Sequence, residues 1–309
     1  GLTFRFVGRG GVHIELAPEA ADGSVRLGPV RVEGGAGGSS YGSSDLASTE
    51  GTNSYTSQSM STATPFDLSI KETPQSVSVI TRDRMNDGGM VTVEEALSYT
   101  TGLTIQATAS DRNQYYSRGF NVTNIMVDGL AVDHDYDTIG SANLAMYDRI
   151  EVVRGATGLL EGSGNPSASI NFMRKRPTTE MEASATAAIG RWNNYLATFD
   201  VGGPLNATKT VRARAVASVQ DTDTFTSGYG HKRKLFYGIF EADLSPTTMI
   251  SLGGFYNKED NPGSDWNGLP TRLDGSFYDF DRSVRSSPTW SYWNKENSNI
   301  FGEVSQDLG

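Results

Sequence analysis

The stretch RIEVVRGATGLLEGSG, residues 149–164, has the glycine spacing that most resembles a phosphate-binding loop. Its glycines are Gly155, Gly158, Gly162 and Gly164. A dinucleotide fingerprint requires G-x-G-x-x-G, and a P-loop requires G-x-x-x-x-G followed by lysine and then serine or threonine. Neither pattern is present, and no lysine follows before Lys175. The spacing therefore favours tight, irregular backbone packed against another element over a nucleotide site.

Three further groups of residues suggest chemistry without completing it. Gly38, Ser40 and Gly42 match G-x-S-x-G, but a nucleophile elbow needs a strand before it and a helix after it, and this tract has neither. DHDYD (133–137) alternates oxygen ligands as Ca²⁺ prefers, yet it lacks the EF-hand glycine and terminal glutamate, so an acidic solvated loop is favoured. The histidines are isolated: His13, His134 and His231. We therefore predict a protein that is not an enzyme, with no catalytic residue, no metal site and no cofactor.

The composition excludes several classes of protein. The chain has 309 residues, 35 glycines, 37% hydrophobic residues and a net charge of −10. An acidic chain lacks the basic stripe that nucleic acid requires, so we expect no nucleic-acid partner. The absence of cysteine excludes a disulfide framework and a thiolate metal site. No apolar run approaches the roughly 18 residues of a membrane-spanning helix, but β-barrel membrane proteins lack such runs as well.

Composition divides the chain into four segments. Residues 1–17 alternate apolar and polar side chains around a Gly-Arg-Gly-Gly turn, which predicts a hairpin at the end of a domain. Residues 18–64 hold an extended segment followed by a tract of Gly, Ser and Thr, typical of a flexible linker. Residues 65–177 have mixed α/β character, and residues 178–309 are predicted to form long strands.

The third segment predicts a small α+β domain. Residues 75–85 predict a short strand. Residues 92–100 predict a helix with Thr92 as its N-cap and Gly102 just past its end. Further strands are predicted at NIMVDGL, RIEVVRG and SASINFMRKRP, and the last of these ends in a basic cluster and Pro177.

The fourth segment alternates apolar and polar residues. In VRARAVASVQ the odd positions from Val211 to Val219 are apolar and the even positions are polar, with Val216 as the exception. Six strands are predicted, at about 182–191, 195–203, 209–221, 234–244, 248–257 and 298–308. Strands of about ten residues with this period suit a lipid-facing barrel wall, whereas strands of a soluble β-sandwich have about five or six. The connections alternate long and short, which matches the extracellular loops and periplasmic turns of outer-membrane barrels.

The order of several motifs resembles one family. ETPQSVSVITRDRM, RNQYYSRGF, VDG, YDRIEVVRGATGLLEGSGNPSASINFMRKRP and the strands that follow are similar to TonB-dependent siderophore receptors, within that family to the ferric-pyoverdine and ferrioxamine types. The resemblance covers residues 65–309, and residues 1–17 resemble the end of a periplasmic signalling domain. It implies an α+β plug domain followed by antiparallel transmembrane β-barrel strands, part of a plugged barrel of about 22 strands. Six strands cannot close, so we expect a fragment that does not transport on its own.

The resemblance also implies binding residues. An apical plug loop is expected to offer Arg112, Tyr115 and Tyr116, and barrel loops are expected to offer Trp266 and Trp293, to a ferric siderophore of hydroxamate or mixed type. Aromatic and hydrogen-bonding contacts suffice, because the iron arrives already coordinated. The alternative for each tryptophan is an interfacial or loop-packing role.

Two further sets of residues follow from the family. The plug arginines Arg118 and Arg154 are expected to pair with inward wall glutamates, for which Glu241 and Glu303 are candidates. Partners in strands that this chain lacks, or a wet lumen, are the alternatives. LGPVRVE (27–33) resembles a TonB box, an extended segment that adds to a sheet edge of TonB. Its candidate residues are Leu27, Pro29, Val30 and Val32. A plain connector is the alternative there.

The implied function is import of a ferric siderophore across the Gram-negative outer membrane. TonB, with ExbB and ExbD behind it, would drive the plug rearrangement from the proton gradient, and the N-terminus would lie in the periplasm. The partners are thus TonB, the ferric siderophore and outer-membrane lipid. The alternative is mainly a signalling receptor that passes ligand occupancy to a periplasmic anti-sigma regulator.

Overall fold

The computed structural model describes residues 2–7, 11–16, 47–60, 62–63, 68–133, 142–155, 165–266 and 268–307. The predicted TonB box, most of the 133–137 acidic stretch and the glycines after Gly155 in the opening motif lie outside these ranges. The chain divides into two units, Gly1–Ser39 and Ser40–Gly309. In the first unit β1 (Leu2–Val7) pairs antiparallel with β2 (Gly11–Leu16), so the predicted hairpin is confirmed.

The second unit begins with a mixed α+β domain built on short strands. Its strands are β3 (Ser59–Met60), β4 (Leu68–Ser69), β5 (Ser76–Ile80), β6 (Thr104–Ala109), β7 (Arg112–Ser117), β8 (Phe120–Asn121), β9 (Asn124–Val127), β10 (Leu130–Ala131), β11 (Tyr147–Arg154) and β12 (Ala168–Arg174). Five of them form one sheet in the order β10-β9-β12-β11-β5, in which β9 and β12 are parallel and the other pairs antiparallel. Strand β11, which lies between β12 and β5, is buried along almost its whole length.

Short helices cover this sheet. They are α1 (Arg82–Asp87), α2 (Val93–Ser98) and a 3-10 turn at Leu144–Met146. Helix α2 starts with a capping box, in which Thr92 and Glu95 satisfy each other's backbone N–H groups, as the sequence predicted for its N-cap. Among the described residues, no helix is long and apolar enough to cross a membrane.

The predicted strand over 75–85 is wrong in its second half. The strand ends at Ile80, and Thr81 then caps α1 by accepting a hydrogen bond from the Arg84 N–H. Arg82 is buried and donates from Nη1 to the carbonyl oxygens of Leu144 and Tyr147. Arg82 is buried because it bonds to carbonyl groups more than 60 residues away in the chain. The local residue pattern carries no sign of such a tertiary contact.

Strands β6, β7 and β8 form a separate antiparallel sheet that the sequence did not predict. The sequence predicts an apical loop for the residues around Arg112, Tyr115 and Tyr116. The turn between β6 and β7 is Ser110–Asp111, here called the hairpin tip. Along β7 exposure alternates, so that Arg112, Gln114 and Tyr116 face outward while Asn113, Tyr115 and Ser117 are buried.

The rest of the unit is one antiparallel sheet of six strands in sequential order, here called the wall. Its strands are β13 (Glu182–Gly190), β14 (Asn194–Pro204), β15 (Val211–Asp223), β16 (Gly230–Ser245), β17 (Thr248–Asp260) and β18 (Lys295–Gln306). All six predicted strands are present. β16 and β18 start earlier than predicted because the register continues, with Lys232 opposite Asp260 and Glu259 opposite Lys295.

The wall has an apolar exposed face and a polar buried face, the reverse of a water-soluble sheet. The exposed face carries large side chains, among them Ile189, Phe199, Val219, Phe236, Leu252 and Ile300. The buried face carries Arg212, Arg214, Ser218, Gln220, Arg233, Glu241 and Glu259. Long strands with this inverted pattern are typical of membrane barrels, whose outer face meets lipid.

The middle of the inner face packs on the α+β domain. The wall residues Val216, Leu235, Tyr237 and Ile239 belong to the same core cluster as the sheet and helix residues of that domain. Val216, the one apolar residue at an inward position of the alternation in VRARAVASVQ, is fully buried there. The Tyr237 hydroxyl donates to the Lys175 carbonyl at 2.8 Å. The α+β domain therefore packs against the buried face of the wall.

Candidate ligand-binding site

The two ends of the wall differ. At the short-turn end, residues 205–210 and 246–247 connect the strands. At the other end residues 191–193, 224–229 and 261–294 do so, and it is here called the long-loop end after the last of these connections. The hairpin tip of the α+β domain reaches the long-loop end. An open pocket of 620 Å³ lies there, and its volume falls in the range of small-molecule sites. It is lined by Asp111, Ser264, Asp265, Trp266, Trp290, Ser291, Tyr292, Trp293 and Asn294.

Two of the predicted binding residues, Trp266 and Trp293, line this pocket, here called the tryptophan pocket, and a third, Arg112, lies against their rings. The rings of Trp266 and Trp293 lie 5.2 Å apart at 53°. The Arg112 guanidinium lies 4.2 Å from the Trp266 ring centroid and 5.9 Å from that of Trp293. Both tryptophans keep exposed surface, 52% and 38%. A cation between two partly open aromatic faces suits a planar or anionic group of a ligand.

The hairpin tip is bonded to the wall loop on both sides. Ser110 N–H donates to the Asp265 carbonyl at 3.0 Å, and Asp265 N–H donates to Ser110 Oγ at 2.9 Å. Tyr229 Oη donates to the Ser110 carbonyl at 2.9 Å. Lys295 Nζ donates to the Asp111 carbonyl at 2.8 Å and lies 3.3 Å from Asp111 Oδ2. These contacts fix the backbone immediately before Arg112.

The two tyrosines predicted to bind ligand occupy opposite environments. Tyr115 is only 4% exposed and belongs to the core cluster, so the prediction that it contacts ligand is wrong: the alternation of β7 turns it inward. Burial raises the pKa of its hydroxyl. Tyr116 stays partly exposed and donates to Gln114 Oε1 at 2.6 Å. Its binding role stays a prediction.

A polar layer on the wall's inner face lies next to the tryptophan pocket. Arg233 donates to Glu259 at 2.7 Å and to Gln220 at 2.9 Å. His231 Nδ1 lies 2.6 Å from Asn261 Oδ1 and 3.3 Å from Glu259 Oε1. Asn261 also donates to Asp111 Oδ2 at 3.3 Å, which connects this layer to the hairpin tip. Within the described ranges, no group of three or more His, Asp or Glu is arranged to hold a metal ion.

At the short-turn end the two candidate glutamates bond to an arginine that the sequence analysis did not assign. Arg176 Nη1 donates to Glu241 Oε1 at 3.1 Å, and Arg176 Nη2 donates to Glu303 Oε2 at 2.6 Å. Arg212 lies 3.6 Å from Glu241 as well. Burial lowers the pKa of Arg176, but the carboxylates of Glu303 and Glu241 outweigh it, so the pKa is raised. The basic cluster after β12 was the available signal, because it precedes the first wall strand.

Arg118 and Arg154 lie next to each other rather than against those glutamates. Arg154 donates to Ser76 Oγ, Ser78 Oγ and two backbone carbonyls. A Cβ on Gly155, whose φ is +105°, would lie 2.8 Å from Arg118 Nη1, so this glycine of the opening motif lets the arginine approach. Burial and the charge of Arg118 lower the pKa of Arg154. The pairing of these arginines with Glu241 and Glu303 is therefore wrong, and their locking role stays a prediction.

A second ion cluster joins the segment around Glu50, which the sequence analysis places in the linker, to the rest of the unit. Glu50 accepts from Arg214 Nη1 and Nη2 at 2.6 and 2.8 Å and lies 3.1 Å from Lys175 Nζ. Asp200 bonds to the same two cations, each at 2.6 Å. Glu50 N–H donates to Asp148 Oδ1 at 2.8 Å. Sequence analysis assigned Glu50 to the linker, and no local pattern marks a partner 164 residues away.

An inverted sheet packed around an α+β domain, with a pocket at its long-loop end, defines a plugged β-barrel wall. Residues 69–169 match the family model of the TonB-dependent receptor plug domain. The chain is 40% identical over 297 residues to the ferric-pyoverdine BN7/BN8 receptor of Pseudomonas putida, covering 95% of this chain and 36% of that protein. It is 38% identical to the ferripyoverdine receptor of Pseudomonas aeruginosa, covering 94% and 35%.

The crystal structure of the ferripyoverdine receptor of the outer membrane of Pseudomonas aeruginosa bound to ferripyoverdine superposes with a TM-score of 0.80 at 35% identity. The match covers 98% of this chain and 37% of that one. The chain thus belongs to the TonB-dependent siderophore receptors, as an α+β plug followed by antiparallel wall strands. It spans about a third of the length of the relatives that it matches.

Proposed function

We propose that this chain forms the plug and first wall strands of an outer-membrane receptor that binds a ferric siderophore and imports it. The observation that carries the proposal is the tryptophan pocket, in which a plug arginine lies over two wall-loop tryptophans. A ferric siderophore presents organic groups around an iron that is already coordinated. Stacking and hydrogen bonding recognise such a chelate without any protein ligand to the metal.

The inverted wall supports a place in the outer membrane of a Gram-negative cell. Its exposed apolar face is suited to lipid, and its long-loop end, which carries the pocket, then faces the outside. The short-turn end and the N-terminal segment face the periplasm. There TonB, driven through ExbB and ExbD, engages the segment around Leu27, Pro29, Val30 and Val32 by strand addition and rearranges the plug.

Signalling is the second candidate function. The hairpin β1–β2 belongs to a separate compact unit, Gly1–Ser39, which supports a periplasmic module that reports ligand occupancy to an anti-sigma regulator. Import and signalling are compatible in one receptor. The proposal includes no catalytic step and no cofactor of the protein's own, since iron is cargo inside the chelate.

Calorimetric titration of the purified receptor with ferric pyoverdines and ferric hydroxamates tests the binding step. Trp266→Ala and Trp293→Ala should each weaken binding at least about tenfold, a loss typical of truncating an aromatic anchor. Trp192→Ala is the matched control, because Trp192 is similarly exposed, at 49%, and does not line the pocket.

Uptake of radioactive iron by cells with and without TonB tests the transport step. Uptake should require both TonB and the two pocket tryptophans. Binding by both alanine variants at the parent affinity would contradict the assigned site, and uptake that persists without TonB would contradict the energy coupling.

A further inference from the structure

The tryptophan pocket is built from two bodies, and one buried ion pair links them. Arg112 belongs to the plug, whereas Trp266 and Trp293 belong to the loop between β17 and β18. Asp111 of the hairpin tip and Lys295 at the start of β18 are 4% and 8% exposed in their side chains. A buried contact of this kind is expensive to break by removing one partner, because the other charge then stays uncompensated.

The contacts of Lys295 point away from a role as a ligand group. Its ammonium donates to the Asp111 carbonyl and lies 3.3 Å from Asp111 Oδ2 and 4.0 Å from Glu259 Oε2. The Asp111 carbonyl accepts a hydrogen bond from the ammonium, and the carboxylates of Asp111 and Glu259 lie near it as opposite charges. The side chain therefore acts on the backbone that carries Arg112 rather than on an occupant of the pocket.

We propose that Lys295 is a positioning residue for chelate binding. By holding Asp111, it fixes the backbone next to Arg112 and keeps the guanidinium 4.2 Å from the Trp266 ring. The inference rests on the proposed function, since it assigns affinity for the chelate to a residue outside the pocket. In this arrangement Arg112 and the tryptophans stay together only while the hairpin tip is bonded to the wall loop. A displacement of the plug hairpin therefore lowers affinity without any change in the tryptophans.

The test combines Lys295→Met with a disulfide that replaces the contact between Lys295 and Asp111. The receptor, purified in detergent, is titrated with ferric pyoverdine and ferric ferrioxamine B as probes. Lys295→Met should weaken binding of whichever probe the parent receptor binds by about tenfold, since an interaction that holds binding groups in place contributes on that scale. Lys258→Met is the matched control, because Lys258 is 37% exposed and pairs only loosely with Asp260 at 3.6 Å; its affinity should equal the parent's.

A disulfide between Ser110→Cys and Asp265→Cys restores the connection without a charge. These two residues already exchange hydrogen bonds across the gap, and this chain contains no cysteine that would compete. Because Asp265 lines the pocket, the reference is the oxidised double-cysteine receptor that keeps Lys295. In the Lys295→Met background the oxidised tether should return the affinity to within about threefold of that reference, and reduction should remove the gain. Asp111→Asn is the milder second variant if Lys295→Met does not fold, with a smaller loss expected.

Two outcomes would overturn the inference. If Lys295→Met and Asp111→Asn bind as tightly as the parent while Trp266→Ala does not, the positioning role is wrong and the proposed function stands. If the tether fails to restore affinity although the disulfide has formed, holding the hairpin tip does not account for the effect of Lys295, and the positioning role is wrong. Failure of the tryptophan variants to change binding would instead contradict the proposed function itself.

Discussion

Neighbouring residues on β7 have different tasks because side chains of a strand alternate between two faces. Arg112 lies against the tryptophans, whereas Tyr115 lies in the core. Residue type alone made both plausible binding residues, since arginine and tyrosine are common in ligand sites. Only the register of β7 against β6, with Ile105 opposite Tyr115, determines which of them reaches the pocket.

Tyr115→Phe is predicted to leave chelate binding unchanged and to keep or slightly raise stability. The Tyr115 hydroxyl is buried, and within the described part of the chain it has no hydrogen-bond partner. Removing an unsatisfied buried hydroxyl costs little and gains up to about 1 kcal/mol. Thermal unfolding in detergent and calorimetric titration check the two expectations.

The control at the residue scale is Tyr116→Phe, which loses the 2.6 Å hydrogen bond to Gln114. It should lower stability by about 1 kcal/mol or less, because the bond is only partly buried. A large loss of affinity in Tyr115→Phe would contradict the assignment of Tyr115 to the core and would indicate that its hydroxyl takes part in ligand binding.

At the scale of elements, the period of the sequence predicted the wall better than the plug. Every wall strand was predicted, because alternation over nine to sixteen residues is a strong signal. The plug strands are as short as two residues, and α1 follows β5 after a single residue. Elements of that length repeat their period too few times to be distinguished, so the sequence merged β5 with α1 and missed the pairing of β6, β7 and β8.

Phe199→Arg and Phe277→Arg test the assignment of the exposed wall face to lipid. Phe199 lies at the middle of β14 and is 64% exposed, and Phe277 lies in the long loop and is 77% exposed. Arginine at the middle of a lipid-facing strand costs about 2–4 kcal/mol, whereas arginine in a solvated loop costs almost nothing. Urea titration of the receptor folded into lipid vesicles should separate the two variants.

Equal stability of these two variants would contradict the membrane assignment, because it would place both phenylalanines in water. A loss in Phe277→Arg alone would indicate instead that the long loop is packed in the folded receptor.

At the scale of the whole molecule, ion clusters join parts that lie far apart in the chain. Glu50, in the predicted linker segment, pairs with Arg214 of the wall and Lys175 of the plug. Arg176 links the end of the plug to two wall glutamates. Buried charges of this kind specify position more than they add net stability. They hold the plug in one orientation inside the wall.

The attachment of the segment around Glu50 is predicted to weaken in acid. Burial raises the pKa of Glu50, but the hydrogen bond from Arg214 and the charge of Lys175 outweigh it and hold the pKa below the usual 4.5. A carboxylate with a lowered pKa contributes stability that is present above pH 4.5 and is lost as the pH falls through its folded-state value. Amide hydrogen exchange of residues 47–55, measured across this pH range, should show the attachment opening in acid.

Glu50→Gln is the control for this prediction. It should open the segment already at neutral pH and remove the part of the pH dependence that belongs to Glu50, while other carboxylates titrate as before. If the parent and Glu50→Gln show the same exchange at every pH, Glu50 does not hold the segment.

The sequence by itself determined the order of segments, the dyad period of the wall and the family resemblance, because each of these is written in residues that are close together in the chain. It also named Arg112, Trp266 and Trp293 as binding candidates, and the structure brings these three side chains together, while their binding role stays a prediction. Tertiary structure alone decided that Arg176 meets Glu241 and Glu303, that Lys295 holds Asp111, and that Tyr115 turns inward. Each of those contacts depends on strand register and on the plug's position in the wall, and the free energy that selects them comes from burial that no local window contains.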